Sequence, residues 1–553
     1  MINLDAQLSI VMRQVSPHTR ALIDQLVEPV GLWEKLKGSR EVAALLSAIG
    51  DSNETAALID ILPFVIVGKP DVAATAARSV HKLVQRSTTQ ELAWLDFALR
   101  QRSPYSGHHF YEWHKLAPDK LGVLERFGEA SISLFGITSC HPSGYVREAA
   151  IKRLDQITSG AELPFLILRL NDWVSNVRDA AYRAIHSRLR PEYARHFIAN
   201  LSLVSRLEKA GRADHKVLIR AINELLQSDE CRSVLLESLM SADRFTRRAS
   251  FRLALNSTKS GLPEIVRQAL NDQDTVIRLL AAQTVSSAFE RAKLDHILEL
   301  MKRDRFMPVR REALRITVKQ NLSTLLSALR SALLDQHPSM REEARYHMRK
   351  REQIDVAEFY REVLTVGEGS TFYAALCGLG EAGTTKDALL IAPHTSHPTS
   401  KIRWAAIKAL AKLNSGQYID LFMEALKDPI PYVSREALNA LASRGSAFNG
   451  ERIWKILQSA TTTHVKRNAF SLIEKLGKWD SINYLVRSVR DSDETIAAMG
   501  QFGVQRWLAG VNRSFTSPSS EQWATLRKAL EETGNLLDAE TMRQLQFSMK
   551  GFN

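Results

Sequence analysis

A short phrase, Val-Arg-x-x-Ala or a close variant, returns about every 31 residues. It occurs at Val146-Arg147 with Ala150, Val177-Arg178 with Ala181, Ile277-Arg278 with Ala281 and Val309-Arg310 with Ala313. It recurs at Met340-Arg341 with Ala344 and Ile402-Arg403 with Ala406. The alanines continue through Ala375, Ala437 and Ala469 at steps of 31 or 32 residues. A fixed period of this size requires a repeat array, in which each unit buries its apolar face against its neighbours. Length alone would allow several globular domains, and the repeat makes one extended array the expectation.

One period, Leu322 to Met348, shows the grammar. Leu322, Leu325, Leu326, Leu329 and Leu333 fall at helical spacing and predict a first helix. Asp335-Gln336-His337-Pro338 breaks it, since proline suits a first helical turn but not a helix interior. Met340 to Ala344 then opens a second helix, whose small alanine allows close helix approach. Ala44 and Ala76 extend the period toward the N-terminus, Leu201 to Leu226 is helical but off-phase, and the phrase fades after Asp491. The expected organisation is degenerate helical repeats over 1–100, an insertion over 101–125, the main array over 126–500 and a helical cap over 501–553.

An aspartate precedes the arginine of the phrase by six residues: Asp172 and Arg178, Asp272 and Arg278, Asp304 and Arg310, Asp335 and Arg341. Standing where one helix ends and the next begins, it can accept free helix N–H groups and pair with the arginine of its turn. Repetition predicts a structural ladder. At His141 and His397 a histidine takes the aspartate position.

Helical pairs with Asp-x-x-x-x-Val-Arg-x-x-Ala resemble HEAT repeats, in the short form found in phycobilin lyases. The resemblance covers Leu163 to Met499 well and the first 100 residues weakly. It implies an all-α solenoid, a superhelix of about a dozen such units, and for function a platform whose partners vary across the family. Members that are di-iron hydroxylases carry paired His-Glu dipeptides, and this chain has none. Members that are DNA glycosylases hold a damaged base against aromatics. Trp404 and Trp173 are aromatics on a second helix and in a turn, but neither sits in a distinctive motif.

Charge narrows the class of partner. The 553 residues carry a net charge of +13, and Ser241 to Glu352 alone holds 22 Lys and Arg against 13 Asp and Glu. A basic surface favours an acidic protein, nucleic acid or an anionic membrane face. The position six residues after the phrase's first residue turns away from the core stripe. It holds Lys152, Arg183, Arg315 and Lys408, with Arg252 and Arg349 as further exposed cations. These six are the binding candidates, on second helices expected to line the concave face.

The first functional expectation is a non-enzymatic scaffold that binds an acidic protein or assembles a complex. The alternative is a solenoid that contacts nucleic-acid phosphates without reading bases, related to the repair glycosylases. Residues 101–120 break the period with His108, His109, Glu112 and His114. Their spacing is not HExxH, so a packing or contact insertion is preferred to a metal site. Gly367 to Thr371 lacks the lysine of a phosphate loop and reads as a turn. Three scattered cysteines, no apolar run of spanning length and no secretory signal predict a cytoplasmic protein without cofactor or metal.

Overall fold

The computed structural model describes residues 15–27, 39–103, 110–256, 261–351, 355–414, 416–442, 449–511, 516–533 and 536–549. They are helical throughout, and no strand occurs among them. The chain divides into two compact units, Met1–Ile297 and Leu298–Asn553.

In the first unit the helix Ser39–Gly50 packs on Pro70–Arg86, which packs in turn on Ala130–Thr138. Antiparallel pairs follow: Ala130–Thr138 with Gly144–Leu154, then Leu163–Arg169 with Ser175–His186. The off-phase stretch holds Leu201–Leu207 and Lys216–Leu226, after which Leu262–Leu270 pairs with Thr275–Ala288. Between residues 101 and 125 the helix Phe110–His114 buries Phe110 and Trp113. His108 and His109 lie outside the described residues.

The second unit is more regular. Leu325–Leu333 pairs with Pro338–Arg349, Val356–Val366 with Gly369–Ala382, and Ala388–Ile391 with Ser400–Asn414. Ile419–Ala425 pairs with Pro431–Ala442, and Gly450–Ser459 with Thr463–Ile473. The second helices of these last pairs also pack side by side, Gly369–Ala382 on Ser400–Asn414, then Pro431–Ala442, then Thr463–Ile473. Ser520–Thr533 and Ala539–Met549 close the unit against Lys478–Ser488 and Glu494–Gly510.

The alanine of the phrase explains the tight stacking. Ala281, Ala313, Ala344, Ala375, Ala406, Ala437 and Ala469 are each 0% exposed. At Gly380 the approach is closer still, for a Cβ there would lie 2.5 Å from the Cβ of Ala409 on the next second helix. Larger side chains at these positions would push neighbouring repeats apart.

Candidate functional site: the second-helix face and an interrupted ladder

The arginine at the second position of the phrase makes two kinds of bond. Its Nη1 donates to backbone carbonyls of its own turn: Arg178 to Asp172, Arg278 to Asp272, Arg310 to Asp304 and Arg341 to Asp335, at 2.7–2.9 Å. The turn aspartate caps the chain, accepting a backbone N–H two residues on, as Asp172 does from Val174 and Asp335 from His337. Its carboxylate pairs with the arginine 25 residues earlier, in the preceding repeat. These rungs are Arg147–Asp172, Arg247–Asp272, Arg310–Asp335 and Arg403–Asp428. The expected pairing within one turn is thus replaced by pairing between repeats. The reason is reach: the guanidinium that folds back onto its own turn's carbonyls points its other edge at the next turn. Arg147, Arg310 and Arg403 make the bidentate contact, from Nε and Nη2 to both carboxylate oxygens.

The rung in the first unit is thickened into a buried knot. Arg147, Arg169 and Asp172 are at most 1% exposed. Arg169 donates to Asp172 at 3.2 Å, Arg100 reaches Asp172 at 3.3 Å, and both arginines also pair with Asp96. Burial pushes the Asp96 carboxyl up to about 6, against the pull of Arg100 and with a push from Asp172. Arg100 and Arg147 lie over the ring of Trp173, 62% exposed in the turn. His141 takes the cap position expected of it: its Nδ1 accepts from the Ser143 N–H at 3.0 Å, and its Nε2 bonds the Trp113 carbonyl at 2.8 Å. Burial is the main cause that lowers its pKa to about 4, so the ring is neutral. Arg178 has no rung of this register, because Leu203 stands 25 residues on, in the off-phase stretch.

In the second unit the ladder is interrupted. The residue 25 beyond Arg341 is Val366, and Arg341 turns instead to Glu381, at 2.5 Å, with Arg345 joining at 2.6 Å. Burial works to raise the Glu381 carboxyl, but the two guanidinium groups hold it below its ordinary value. Phe372 then stands where the next rung needs arginine, and His397 where it needs aspartate. The two rings stack with centroids 6.4 Å apart. His397 keeps the cap, with its Nδ1 accepting from Thr399 N–H at 3.0 Å. An aromatic pair cannot close the turn as a fork of hydrogen bonds does, and a cleft of about 380 Å³ opens here. Gly367, Glu368, Gly369 and Ser370 line one side, His397, Thr399, Lys401 and Ile402 the other, with Phe372 and Tyr373 between.

Beside the cleft, cations and aromatics alternate. The Lys401 ammonium lies 4.3 Å from the Tyr373 ring centre, Tyr373 stacks on Trp404 at 6.3 Å and 16°, and Lys408 lies 4.5 Å over Trp404. Cation–π contacts of this kind stabilise by about 0.5–2 kcal/mol and hold the ammonium groups in place. One and two repeats on, Arg435 and Arg467 occupy the Trp404 position, and both are exposed with no carboxylate partner among the described residues. Tyr432, on the same face, donates its hydroxyl to Ser400 at 2.7 Å, tying adjacent second helices together.

The six cations expected to bind are distributed between the units. Lys152, Arg183 and Arg252 are exposed on second helices of the first unit, and Arg315, Arg349 and Lys408 lie on those of the second. Lys152 is paired with Glu148 at 2.7 Å and Arg315 with Glu343 at 3.1 Å, so neither presents a free charge. Lys408 alone joins the cation–aromatic row. Sequence reasoning missed Lys401, Arg435 and Arg467. Arg435 and Arg467 lie one turn, and Lys401 two turns, from the sixth position of their helices, and that spacing was the available signal. Among the described residues no three His, Cys, Asp or Glu side chains converge as metal ligands. No described helix is long and apolar enough to cross a membrane.

Stacked antiparallel helix pairs with shared turn rungs define an α-solenoid. The family model for HEAT repeats matches residues 388–452, which include Lys401, Trp404, Lys408 and Arg435. No curated protein matches the chain. Among solved structures it is similar to a chain of the Kap95p–RanGDP structure, with 12% identity, 90% of this chain and 66% of that one, and a TM-score of 0.35. It is similar to importin beta, with 13% identity, 97% and 84% coverage and a TM-score of 0.29. Kap121p bound to Ste12p matches at 12% identity, 97% and 65% coverage and a TM-score of 0.32. The chain thus spans slightly under two thirds of the Kap95p and Kap121p structures' lengths. These superpositions are too loose to carry an overall shape, a partner or a residue to this chain.

Proposed function

We propose that the protein is a non-enzymatic HEAT-repeat scaffold that binds an acidic protein segment across the second helices of its second unit. The observation that carries this reading is the row of Lys401, Lys408, Arg435 and Arg467, in which no member has a carboxylate partner among the described residues. Lys152 and Arg315, by contrast, are each paired with a glutamate. Lys401, which also donates to Gln336 Oε1 at 3.2 Å, and Lys408 are held over rings, and cations so placed present ordered donors to an anionic partner and speed its encounter. A protein is favoured over nucleic acid because Tyr373 is buried and the Trp404 ring is covered by Tyr373 and Lys408, so neither offers a free face for base stacking.

The test is binding of an acidic peptide, a generic DNA duplex and single-stranded RNA to the full chain at about 0.15 M salt. Micromolar binding of the peptide, weakened by about tenfold or more in the double variant R435E/R467E, supports the reading. Tight binding of the nucleic acids with a steep salt slope, and none of the peptide, would reverse it.

A further inference from the structure

We infer that the cleft at the interrupted rung is an anchor pocket for one apolar side chain, and that the acidic segment it anchors is extended, with a carboxylate at every third residue. This rests on the acidic-partner reading above and adds register and specificity to it.

The cleft itself selects an apolar group. Its floor is Phe372, Tyr373 and Ile402, and its walls include Gly367 and Gly369, which offer no side chain to fill it. Burial keeps the Tyr373 hydroxyl neutral. Glu368 stands on its rim and repels a carboxylate that would enter. Lys401, also on the rim, is shared with the cation row, so a chain leaving the cleft meets the row at once. At about 380 Å³ the cleft falls in the lower part of the roughly 300–1,000 Å³ span of small-ligand sites. Apolar pockets surrounded by a charged rim are where interfaces concentrate their binding energy.

The repeat sets the register. Adjacent packed helices lie about 8–10 Å apart, and an extended chain advances about 3.3 Å per residue. One repeat therefore corresponds to about three residues of a segment that crosses the second helices. With the anchor in the cleft, the next three carboxylates fall at Lys401 and Lys408, then Arg435, then Arg467. The predicted pattern is Leu-x-x-Asp-x-x-Asp-x-x-Asp, or its reverse, with small polar residues between.

Fluorescence polarisation with labelled synthetic peptides tests this on the full chain. The probes are that pattern in both directions, an isomer of the same composition with its aspartates bunched, and a version with asparagine in place of leucine. The cleft-filling variant Thr399→Trp, checked for parent-like melting, is measured beside the parent. We expect one direction of the patterned peptide to bind about tenfold tighter than the bunched isomer and the asparagine version. On Thr399→Trp the advantage of leucine over asparagine should vanish while spacing still matters. Equal affinity for patterned and bunched peptides overturns the register. A leucine advantage that survives in Thr399→Trp overturns the anchor. Both results leave the acidic-partner reading standing, whereas failure of every acidic peptide to bind removes that reading itself.

Discussion

The rung at Arg147–Asp172 and the position held by Phe372 and His397 are two versions of one turn. In both, the residue at the cap position accepts a backbone N–H two residues on: Asp172 from Val174, His397 from Thr399. In both, the arginine six residues later donates to backbone carbonyls of its turn: Arg178 to residues 172 and 173, Arg403 to residues 397 and 398. Only the link to the preceding repeat differs. In the first unit it is a buried fork reinforced by Arg100 and Arg169; in the second it is a ring pair that leaves space. The turn is therefore a fixed frame, and the link between repeats is the variable that makes a position structural or accessible.

That contrast is most open to challenge at Asp172. Replacing it with alanine leaves Arg147 and Arg169 buried without their shared carboxylate. Removing one partner of a buried pair costs about 3–5 kcal/mol, so Asp172→Ala should lower the urea midpoint severely. A loss under 1 kcal/mol would mean that the knot does not hold the first unit together. Asp428→Ala breaks an ordinary rung whose partners retain some solvent contact, Arg403 at 15% and Asp428 at 9% of the side chain. About 1–3 kcal/mol is expected, the scale of hydrogen bonds to charged groups, and a larger loss than for Asp172→Ala would invert the ranking.

Gly380→Ala places a methyl group against Ala409 and should cost about 1–3 kcal/mol through overpacking. Because it separates the helices that carry Tyr373 and Trp404, it should also change tryptophan fluorescence. An unchanged melt would show that the second helices have slack.

The smallest effects are in pH dependence, and here the knot holds two groups of opposite sign. Asp96 binds its proton up to about 6 in the fold and to 3.8 ordinarily, so its contribution to stability is present below 3.8 and lost as pH rises through 6. His141 titrates near 4 in the fold against 6.5 ordinarily, so its contribution is present above 6.5 and lost as pH falls through 4. Denaturation series from pH 4 to 7 should therefore show the stability difference, parent minus Asp96→Asn, falling with pH. The difference between parent and His141→Asn should rise over the same span. Curves that stay parallel to the parent's in both variants would remove burial as the controlling force at this knot.

Much of this was legible in the residues alone. The period of 31, the alanine of each unit and the Pro338 break are local signals, set by helix geometry and close packing. They specified an all-α repeat array, which the helix pairs and the HEAT-repeat match bear out. The Asp-to-Arg spacing marked the turns, but a spacing within one repeat cannot say which repeat a side chain reaches. The sixth-position cations were readable as outward-facing, and Glu148, four residues before Lys152 on the same helix, is a local signal; that Glu343 neutralises Arg315 was not readable, since Glu343 belongs to the next repeat.

By itself, then, the sequence determined the repeat and the turn caps, because each depends on residues within one helical pair, and the basic balance, because it is a sum that needs no fold. Tertiary structure decided which arginine meets which aspartate, where the ladder opens at Phe372 and His397, and which cations are left without a carboxylate. Those outcomes depend on the stacking of one repeat against the next, where side chains 25 or more residues apart compete for the same carboxylate.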